Sequence, residues 1–436
     1  MPPWSLHSWL NYRYEQAAPY QNLDELNAVV QELSLLPPLV APGEIKQLKL
    51  AIARAGRGEA FILQGGDCAE SFGDCRAQII SNKLKIILQM SLVLLHGLKK
   101  PIIRIGRIAG QYSKPRSSGH ETQHGITLPS YRGDLINSAL FNPIAREPNP
   151  QLLLKGYGTA AMTLNYIRAL LDSGFADLHH PHRWDLDFFQ HSKQADDYNT
   201  MVASMSNTID LLQSIDDVNF FTSHEALHLH YEQALTRQVG KKQQWYDLST
   251  HLPWIGMRTS ALDSAHVEFL RGIENPIGIK IGPHATSTWI QDLLEHLNPE
   301  REEGRILLIT RLGATHVSKT LPSLIKAVKA IHMPVTWSCD PMHGNTEITS
   351  SGIKTRHFDT ILSELQQTLI THRNHDSNLG GVHFELTGEN VTECIGGARG
   401  LTANDLKSAY HSLVDPRLNY EQSMEMAFQL SRAFGD

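Results

Sequence analysis

Basic side chains stand at the ends of several apolar runs in this chain. Four of them have the same character: Arg107, Arg258, Lys280 and Arg311. A guanidinium offers a planar pair of donors to a carboxylate or a phosphate. If these cations converge, they predict a binding site for a small anionic molecule.

A second set has the side-chain types of metal ligands, namely a thiol, an imidazole and two carboxylates. Its members are Cys68, His343, Glu385 and Asp415. Such a mixture suits a divalent ion such as Mn²⁺, Co²⁺, Fe²⁺ or Zn²⁺. Their spacing matches no short metal motif, and a single buried Cys more often acts as a small apolar residue. The residues alone therefore leave both interpretations open.

One short motif points to a different chemistry. Residues 224–228 read HEALH, the H-E-x-x-H spacing of zinc proteases, which places both histidines on one helix face. Here the preceding residues predict a strand, so His224 would lie at a strand end rather than within a helix. No third histidine follows at the spacing of the larger zinc-protease families, and the zinc-protease hypothesis is therefore disfavoured.

The elements that must position these residues are short apolar runs that alternate with helical patterns, which indicates a parallel sheet. Of nine such runs, the weakest is residues 175–180, which is short and half polar, and we leave it out. The remaining runs are residues 60–68, 101–108, 218–225, 252–258, 276–282, 305–313, 334–340 and 380–388.

Eight strands with intervening helices favour an α/β fold of the closed (β/α)₈ TIM-barrel type over an open doubly wound sheet. The active site of such a barrel lies at the C-terminal ends of its strands. The basic residues stand there, as do three of the metal-ligand types, Cys68, His343 and Glu385. The strand pattern and the two residue sets therefore predict the same site.

The chain carries two additions to this barrel. Residues 1–55 are predicted to be an N-terminal extension with two helices, and residues 56–436 the catalytic barrel. Between the second and third strands we expect a loop over 114–146, a helix over 151–173 and an extra helical insertion at about 185–217. Helices are also predicted over 322–331 and 358–372 by apolar residues three and four apart.

Composition excludes several classes of protein. The net charge of −6, from 39 basic and 45 acidic residues with no basic block, argues against nucleic acid as a partner. Four cysteines are too few for a disulfide scaffold, which favours a reducing compartment. The most apolar stretch, residues 86–98, is too short to span a bilayer and is predicted to be a buried helix. We expect a cytoplasmic protein with no membrane partner.

Longer motifs at the strand ends closely resemble those of the class II (plant-type) 3-deoxy-D-arabino-heptulosonate 7-phosphate (DAHP) synthases. The matching stretches are LQGGDCAESF (63–72), RIGRIAGQYSKPRS (104–117), LPSYRGD (128–134), SHEALHLHYEQALTR (223–237), CDPMHGNT (339–346), KTRHFD (354–359), GGVHFELTGENVTECIGG (380–397) and DPRLN (415–419). The resemblance extends from about residue 24 to the C-terminus.

The resemblance implies an enzyme, a transferase that opens the shikimate pathway of aromatic amino acid and chorismate biosynthesis. It would condense phosphoenolpyruvate with erythrose 4-phosphate and water, giving DAHP and phosphate. One divalent metal is implied, with Mn²⁺ expected and Co²⁺, Mg²⁺, Fe²⁺ or Zn²⁺ as alternatives. The implied ligands are Cys68, His343, Glu385 and Asp415. A homo-oligomer is also implied, with an aromatic amino acid as a candidate effector.

Substrate-binding residues follow from the same motifs. Phosphoenolpyruvate would be bound by Arg107, Met257, Arg258, Lys280 and Arg311. Erythrose 4-phosphate would be bound by Lys114, Pro115, Arg116 and Ser117, with Asp340 nearby. Either Lys280 or Glu225 would manage the proton of the attacking water, or Glu225 would only orient an arginine.

Three positions depart from the family pattern. Met257 stands where a glutamate usually precedes Arg258, Val414 stands where a cysteine is frequent, and His228 is not a family feature. The missing carboxylate would leave Arg258 freer, and the missing thiol makes a regulatory disulfide with Cys68 unexpected. Two alternatives to the active synthase follow: a catalytically retired paralogue that still binds ligand, and a synthase of a specialised aromatic pathway.

Overall fold

The computed structural model describes residues 3–173, 184–192, 195–212 and 219–435. Eight parallel strands form a closed barrel in chain order. They are β1 (Phe61–Gly66), β2 (Ile102–Arg107), β3 (Phe220–Glu225), β4 (Leu252–Ile255), β5 (Ile277–Ile281), β6 (Ile306–Thr310), β7 (Thr336–Cys339) and β8 (Leu379–Glu385). Each overlaps its predicted run, so the (β/α)₈ barrel is confirmed. The run over 175–180 lies outside the described residues.

The pairing of first and last strands closes the barrel. β1 pairs with β2 on one side and with β8 on the other, where Gly66 is level with both Arg107 and Glu385. All three residues lie at the C-terminal ends of their strands. The register therefore brings a predicted substrate cation and a predicted metal ligand to the same rim.

Helices surround the barrel and precede it. They are α1 (Leu23–Leu35), α2 (Pro42–Gly56), α3 (Ala77–Leu98), α4 (Pro143–Arg146), α5 (Gln151–Asp172), α6 (Ala195–Leu212), α7 (Leu229–Leu235), α8 (Ala265–Arg271), α9 (Ser287–Leu297), α10 (Val317–Ala330), α11 (Phe358–Asn374) and α12 (Tyr420–Gly435). α10 begins before the predicted residue 322, because the buried Val317 and Leu321 extend its apolar face and Pro322 lies inside the helix.

The predicted N-terminal extension contains α1, α2 and a short 3₁₀ helix, Ser8–Asn11. α2 closes the N-terminal end of the barrel. Its Leu48 and Ile52 are fully buried in one cluster with strand residues that include Ile103 and Phe221. The hydroxyl of Thr336 on β7 also donates to the carbonyl of Ile52 at 2.8 Å. This part of the extension shares the barrel's core, and the division at residue 55 stays a prediction.

α3 has the length and composition of a membrane-spanning helix, and it is the one such helix among the described residues. However, 61% of its most apolar window is buried in the protein. Its buried side chains include Ile86, Ile87 and Met90, which belong to the main apolar cluster with residues of β1 and α12. The prediction of a buried helix at residues 86–98 is confirmed, and the helix begins earlier, at Ala77.

The predicted insertion contains a 3₁₀ helix, Asp187–His191, and α6. α6 lies on the outside of the barrel against α12. The ring of Tyr198 is 5.1 Å from that of Phe428, and Asp197 pairs with Arg432 at 3.1 Å. The insertion is therefore held against α12, a helix that lies more than 200 residues later in the sequence.

Three short antiparallel hairpins were not predicted. They pair His120–Gln123 with Ile126–Pro129, Thr236–Val239 with Gln244–Asp247, and Glu347–Ile348 with Lys354–Thr355. The first corrects the prediction of a loop over 114–146. Its first strand, HETQ, is polar and largely exposed, and its second, ITLP, is too short for an apolar alternation to indicate a strand.

Candidate active site

A cavity of about 210 Å³ opens at the C-terminal ends of the barrel strands, and we call it the site cavity. The residues along its wall are Arg107, Gln111, Lys114, Pro115, Glu225, Trp254, Gly256, Met257, Arg258, Lys280, Arg311, His343, Thr346 and Asp415. Most of the predicted substrate residues therefore share one small space with two of the predicted metal ligands.

The four predicted metal ligands come together although they are far apart in sequence. Ligand atoms of Cys68, Glu385 and Asp415 all lie within 4.8 Å of one another. The Nε2 atom of His343 lies 2.9 Å from Oε1 of Glu385. Cys68 follows β1, Glu385 ends β8 and His343 follows β7, so the closure of the barrel between neighbouring strands produces this group.

Neighbouring side chains orient these ligands. Asp340 is fully buried and lies 2.7 Å from Nδ1 of His343, which turns Nε2 toward Glu385. Glu385 accepts from Arg107 at 3.1 Å and from Arg356 at 2.7 Å. Burial would raise the pKa of Glu385, but His343 and these cations outweigh it and hold the pKa well below its usual range.

The charge of this group attracts a cation. The ammonium of Lys114 lies 2.5 Å from the sulfur of Cys68, 2.9 Å from Asp415 and 3.8 Å from Glu385. Burial and the nearby carboxylates raise the pKa of the Cys68 thiol. A thiol, an imidazole and two carboxylates around one point, with a cation already among them, fit a divalent metal ion.

Two basic residues form the floor of the site cavity. Arg107 is 2% exposed, and its guanidinium donates to the carbonyls of Asp67 and Cys68 as well as to Glu385. The ammonium of Lys280 pairs with the buried Asp340. Burial lowers the pKa of Lys280 to about 8. Both cations are held in place by the barrel, ready for an anionic ligand.

Two further arginines lie nearer to solvent. Arg258 donates to the hydroxyl of Ser117 at 2.9 Å, so the two predicted substrate loops are in contact. Arg311 donates to the carbonyl of His343 at 2.7 Å, and its other terminal nitrogen lies 3.5 Å from the sulfur of Met257. Among the described residues, neither arginine forms an ion pair with a carboxylate. Their positive charge is available to a ligand.

Glu225 is a buried acid that faces the site cavity. It is 8% exposed, and burial raises its pKa despite the cations around it. Its Oε1 atom has no hydrogen-bond partner among the described residues. A Cβ atom at Gly256 would lie 2.0 Å from that oxygen, so a glycine is needed opposite the carboxyl group.

Some predicted residues lie away from the cavity wall. Arg116 pairs with Glu121 at 3.4 Å, and its backbone nitrogen donates to Gln16 at 2.9 Å. Asp340 lies beneath Lys280 and His343, where it supports both. These positions leave the predicted contacts of Arg116 and Asp340 with erythrose 4-phosphate as predictions.

The HEALH stretch does not form a protease-like metal site. His224 and Glu225 belong to β3, whereas His228 is the N-cap of α7 and accepts from the nitrogen of Tyr231 at 3.3 Å. The imidazole of His224 contacts the buried Glu232 at 3.0 Å. The two histidines do not share a helix face, as that chemistry requires.

The sequence did not assign a role to several residues of the site. Gln111 and Trp254 line the cavity, while Arg356 and His383 are fully buried beside Glu385 and Arg107. A signal was present, because Arg356 lies in the quoted KTRHFD motif and His383 is a polar residue inside an apolar strand. Charge and strand position alone could not show where these side chains point.

A closed barrel with converging cations and a metal-ligand group defines a (β/α)₈ enzyme for small anionic substrates. The family model described as "Class-II DAHP synthetase family" matches residues 4–431. A phospho-2-dehydro-3-deoxyheptonate aldolase of Neurospora crassa is 45% identical, covering 98% of this chain and 93% of that protein. The enzyme of the same name in Streptomyces coelicolor is 44% identical, covering 99% and 97%. The corresponding AroG protein of Mycolicibacterium smegmatis is 41% identical, covering 95% and 91%. This chain belongs to the class II DAHP synthetase family.

Proposed function

We infer that this chain is a DAHP synthase. It condenses phosphoenolpyruvate with erythrose 4-phosphate and water to give DAHP and phosphate, the first step of the shikimate pathway. The observation that carries this conclusion is that the four predicted substrate cations line one cavity of a (β/α)₈ barrel, directly beside a group of four metal-ligand side chains, two of which also line the cavity. Family membership over nearly the whole chain supports the same reaction.

We propose that the four cations bind phosphoenolpyruvate. Arg107 and Lys280 are fixed by buried partners at the cavity floor, whereas Arg258 and Arg311 keep their charge free at its rim. Fixed cations neutralise the phosphate and carboxylate groups and orient the molecule, which lowers the barrier without reorganisation during the reaction. Met257 packs against Arg311 and completes the wall.

We propose that the loop 114–117 binds erythrose 4-phosphate. Lys114 and Pro115 line the cavity, and Ser117 contacts Arg258 from the phosphoenolpyruvate side. The position of this loop over the metal-ligand group would place the sugar's aldehyde between the ligands and the enol. Arg116 and Asp340 were also predicted to contribute. They would do so by supporting residues of the cavity wall rather than by touching the sugar.

We propose that Cys68, His343, Glu385 and Asp415 hold one divalent ion, with Mn²⁺ as the first choice and Co²⁺, Mg²⁺, Fe²⁺ and Zn²⁺ as alternatives. A bound ion supplies a Lewis acid for the aldehyde oxygen of erythrose 4-phosphate. The residues provide the rest of the site. Asp340 fixes the imidazole of His343, and Arg356 and Arg107 fix the carboxylate of Glu385.

We propose Glu225 as the group that takes the proton of the attacking water. The enol carbon of phosphoenolpyruvate attacks the aldehyde, water adds to the neighbouring carbon, and phosphate leaves by cleavage of its C–O bond. A carboxylate with a raised pKa is a better base than an ordinary one, and Oε1 of Glu225 is unpartnered. Lys280 then serves mainly to bind substrate and to neutralise the departing phosphate.

We propose further that the protein acts in the cytoplasm as a homo-oligomer, with an aromatic amino acid as effector. Light scattering of the purified protein tests the assembly, and its activity with and without each aromatic amino acid tests the effector. A monomer whose activity no aromatic amino acid alters would contradict both points.

The reaction is tested with purified protein supplied with Mn²⁺. We expect phosphoenolpyruvate to be consumed, and phosphate released in equal amount, only when erythrose 4-phosphate is present. A Glu225→Gln variant is expected to bind both substrates but to turn over about 10²- to 10⁴-fold more slowly, the usual contribution of a general base. Phosphate release without the sugar, or no turnover with any divalent ion, would contradict the proposal.

A further inference from the structure

Three buried glutamates lie behind the site cavity, and each accepts several hydrogen bonds from a loop that carries site residues. Glu70, Glu364 and Glu393 are 3%, 0% and 0% exposed. None of them belongs to the cavity wall. Each lies next to a different loop at the C-terminal rim of the barrel.

Glu393 holds the loop that carries the metal-ligand candidate Asp415. Its carboxylate accepts from the backbone nitrogens of His411 and Ser412 at 3.1 and 2.8 Å, and from that of Arg417 at 2.8 Å. The Arg417 guanidinium donates to it twice more, at 3.0 and 2.8 Å. The donors flank Asp415 on both sides.

This contact also reaches the other end of the metal-ligand group. The remaining terminal nitrogen of Arg417 donates to Asp67 at 2.6 Å. Asp67 directly precedes Cys68. Glu393 therefore fixes the backbone on both sides of Asp415, and through Arg417 it is linked to the side chain that precedes Cys68.

Glu364, on α11, joins two other loops. It accepts from the backbone nitrogens of Leu312 and Gly313, both at 2.9 Å, next to the substrate cation Arg311. Its second oxygen accepts from the side chain of Asn345 at 2.6 Å, two residues after His343. The loops after β6 and β7 are thereby held together.

Glu70 organises the loop after β2. It accepts from the backbone nitrogens of Ala109, Gly110 and Gln111, at 3.1, 3.0 and 3.0 Å. Ala109 has a φ of 63°, a left-handed conformation that costs a non-glycine residue energy and persists only where neighbouring contacts impose it. Gln111 in turn accepts from the backbone nitrogen of Glu225 at 2.9 Å.

We propose that Glu70, Glu364 and Glu393 are positioning residues and that each of them holds a different part of the site. Glu393 fixes the metal ligands, Glu364 fixes Arg311 and His343 relative to each other, and Glu70 fixes the backbone that supports Glu225. This inference rests on the proposed function. A buried carboxyl group with three or more donors leaves its loop little freedom, because any displacement leaves buried polar groups without hydrogen-bond partners.

Because each glutamate holds a different part of the site, substitutions of Glu393 and Glu364 should affect Mn²⁺ binding and phosphoenolpyruvate binding differently. A glutamine keeps the size and one acceptor oxygen but places an NH₂ group against backbone N–H donors. Glu393→Gln is therefore expected to weaken Mn²⁺ binding about 10- to 100-fold, as loss of a residue that orients metal ligands does elsewhere. Phosphoenolpyruvate binding to the metal-free variant should stay within about twofold of the unsubstituted protein, because Glu393 contacts none of the four cations proposed to bind that substrate.

Glu364→Gln is expected to weaken phosphoenolpyruvate binding to the metal-free protein about tenfold, because Arg311 loses its fixed position. It should also weaken Mn²⁺ binding, because the loop that carries His343 loses its contact with Glu364. Glu268→Gln is the matched control: Glu268 is 1% exposed and accepts from Ser8 at 2.6 Å and from Arg271 at 2.8 Å, away from the site. Both affinities of this control should be unchanged.

Isothermal titration of chelator-stripped protein with Mn²⁺ alone, and separately with phosphoenolpyruvate, measures these affinities without turnover. Glu393→Asp, which keeps the charge, should bind Mn²⁺ more tightly than Glu393→Gln and covers the case in which the glutamine variant does not fold. The inference would be overturned if the Glu393 variants bound Mn²⁺ as tightly as the unsubstituted protein. It would also be overturned if Mn²⁺ and phosphoenolpyruvate binding were weakened equally in all variants and in the control. Neither outcome would affect the proposed function. No Mn²⁺ binding by the unsubstituted protein would overturn the proposed metal site and the inference together.

Discussion

Burial changes the chemistry of individual side chains at the rim of this barrel. Lys280 and Glu225 both face the site cavity, and removal from water shifts the pKa of the lysine down, to about 8, and that of the acid up. The shift of Lys280 brings its pKa toward neutral pH, whereas the raised pKa of Glu225 makes its carboxylate a stronger base. Lys280 gives the clearer test, because its role is to carry a positive charge.

The affinity for phosphoenolpyruvate should depend on the charge of Lys280. The ammonium is present below its pKa of about 8 and is lost as pH rises through that value, so binding should weaken above pH 8. Titration calorimetry of metal-free protein from pH 6.5 to 9.5 measures this. The Lys280→Arg variant keeps its charge over that range and should not show the weakening. The same alkaline loss in both proteins would contradict this role.

Met257 lies beside Arg311 and carries no charge that could pair with it. The methionine sulfur lies 3.5 Å from the Arg311 guanidinium, where a carboxylate would form an ion pair. Met257→Glu should therefore compete with the anionic substrate and raise the KM for phosphoenolpyruvate about three- to tenfold, equivalent to about 1 kcal/mol for a partly exposed pair. kcat should change less.

Met257→Gln is the matched control for this substitution, because it has the same size and polarity without the charge. Steady-state kinetics at low and high salt should separate the two variants, since salt screens the new ion pair. Equal KM values for the glutamate and glutamine variants at low salt would show that charge at this position has no effect.

At the scale of elements, the barrel could be predicted because buried parallel strands are continuous apolar runs with a polar residue at the end. Every barrel strand overlaps a predicted run. The hairpin of His120–Gln123 with Ile126–Pro129 was not predicted, because its strands have four residues each, are largely exposed, and contain few apolar residues.

The site could be predicted only where its residues stand at the ends of barrel strands. Residues at strand ends, such as Arg107 and Glu385, could be found because chain position fixes which rim they occupy. Arg356 follows a short hairpin strand and reaches Glu385 only through the fold of the loop after β7. Glu364 lies on a helix, and nothing in its spacing shows that it accepts bonds from two loops.

α2 should contribute strongly to stability because it closes the bottom of the barrel. Leu48 is fully buried among strand residues, whereas Leu50 on the same helix is 70% exposed. Leu48→Ala should lower the free energy of unfolding by about 2–5 kcal/mol, and Leu50→Ala by less than about 0.5 kcal/mol. Urea unfolding of both variants measures the difference. Similar losses would indicate that α2 does not pack into the barrel core.

In the whole molecule, closure of the barrel brings together side chains that are far apart in the sequence. Cys68 and Asp415 are separated by most of the chain, yet the sulfur lies 3.5 Å from a carboxylate oxygen. The chain carries a net charge of −6, but five basic side chains line its site cavity, which suits anionic ligands. Membership of the class II DAHP synthetase family explains why these features occur together.

We propose the group of Cys68, His343, Glu385 and Asp415 as the metal centre on which this synthase depends. The most direct measurement titrates metal-stripped protein with Mn²⁺ while bound metal and the rate of phosphoenolpyruvate consumption are recorded in the same samples. We expect the rate to rise in proportion to bound metal and to level off at one ion per chain, and the Glu385→Gln variant to gain neither. Full activity in stripped protein, or full metal binding and activity in the variant, would contradict the account.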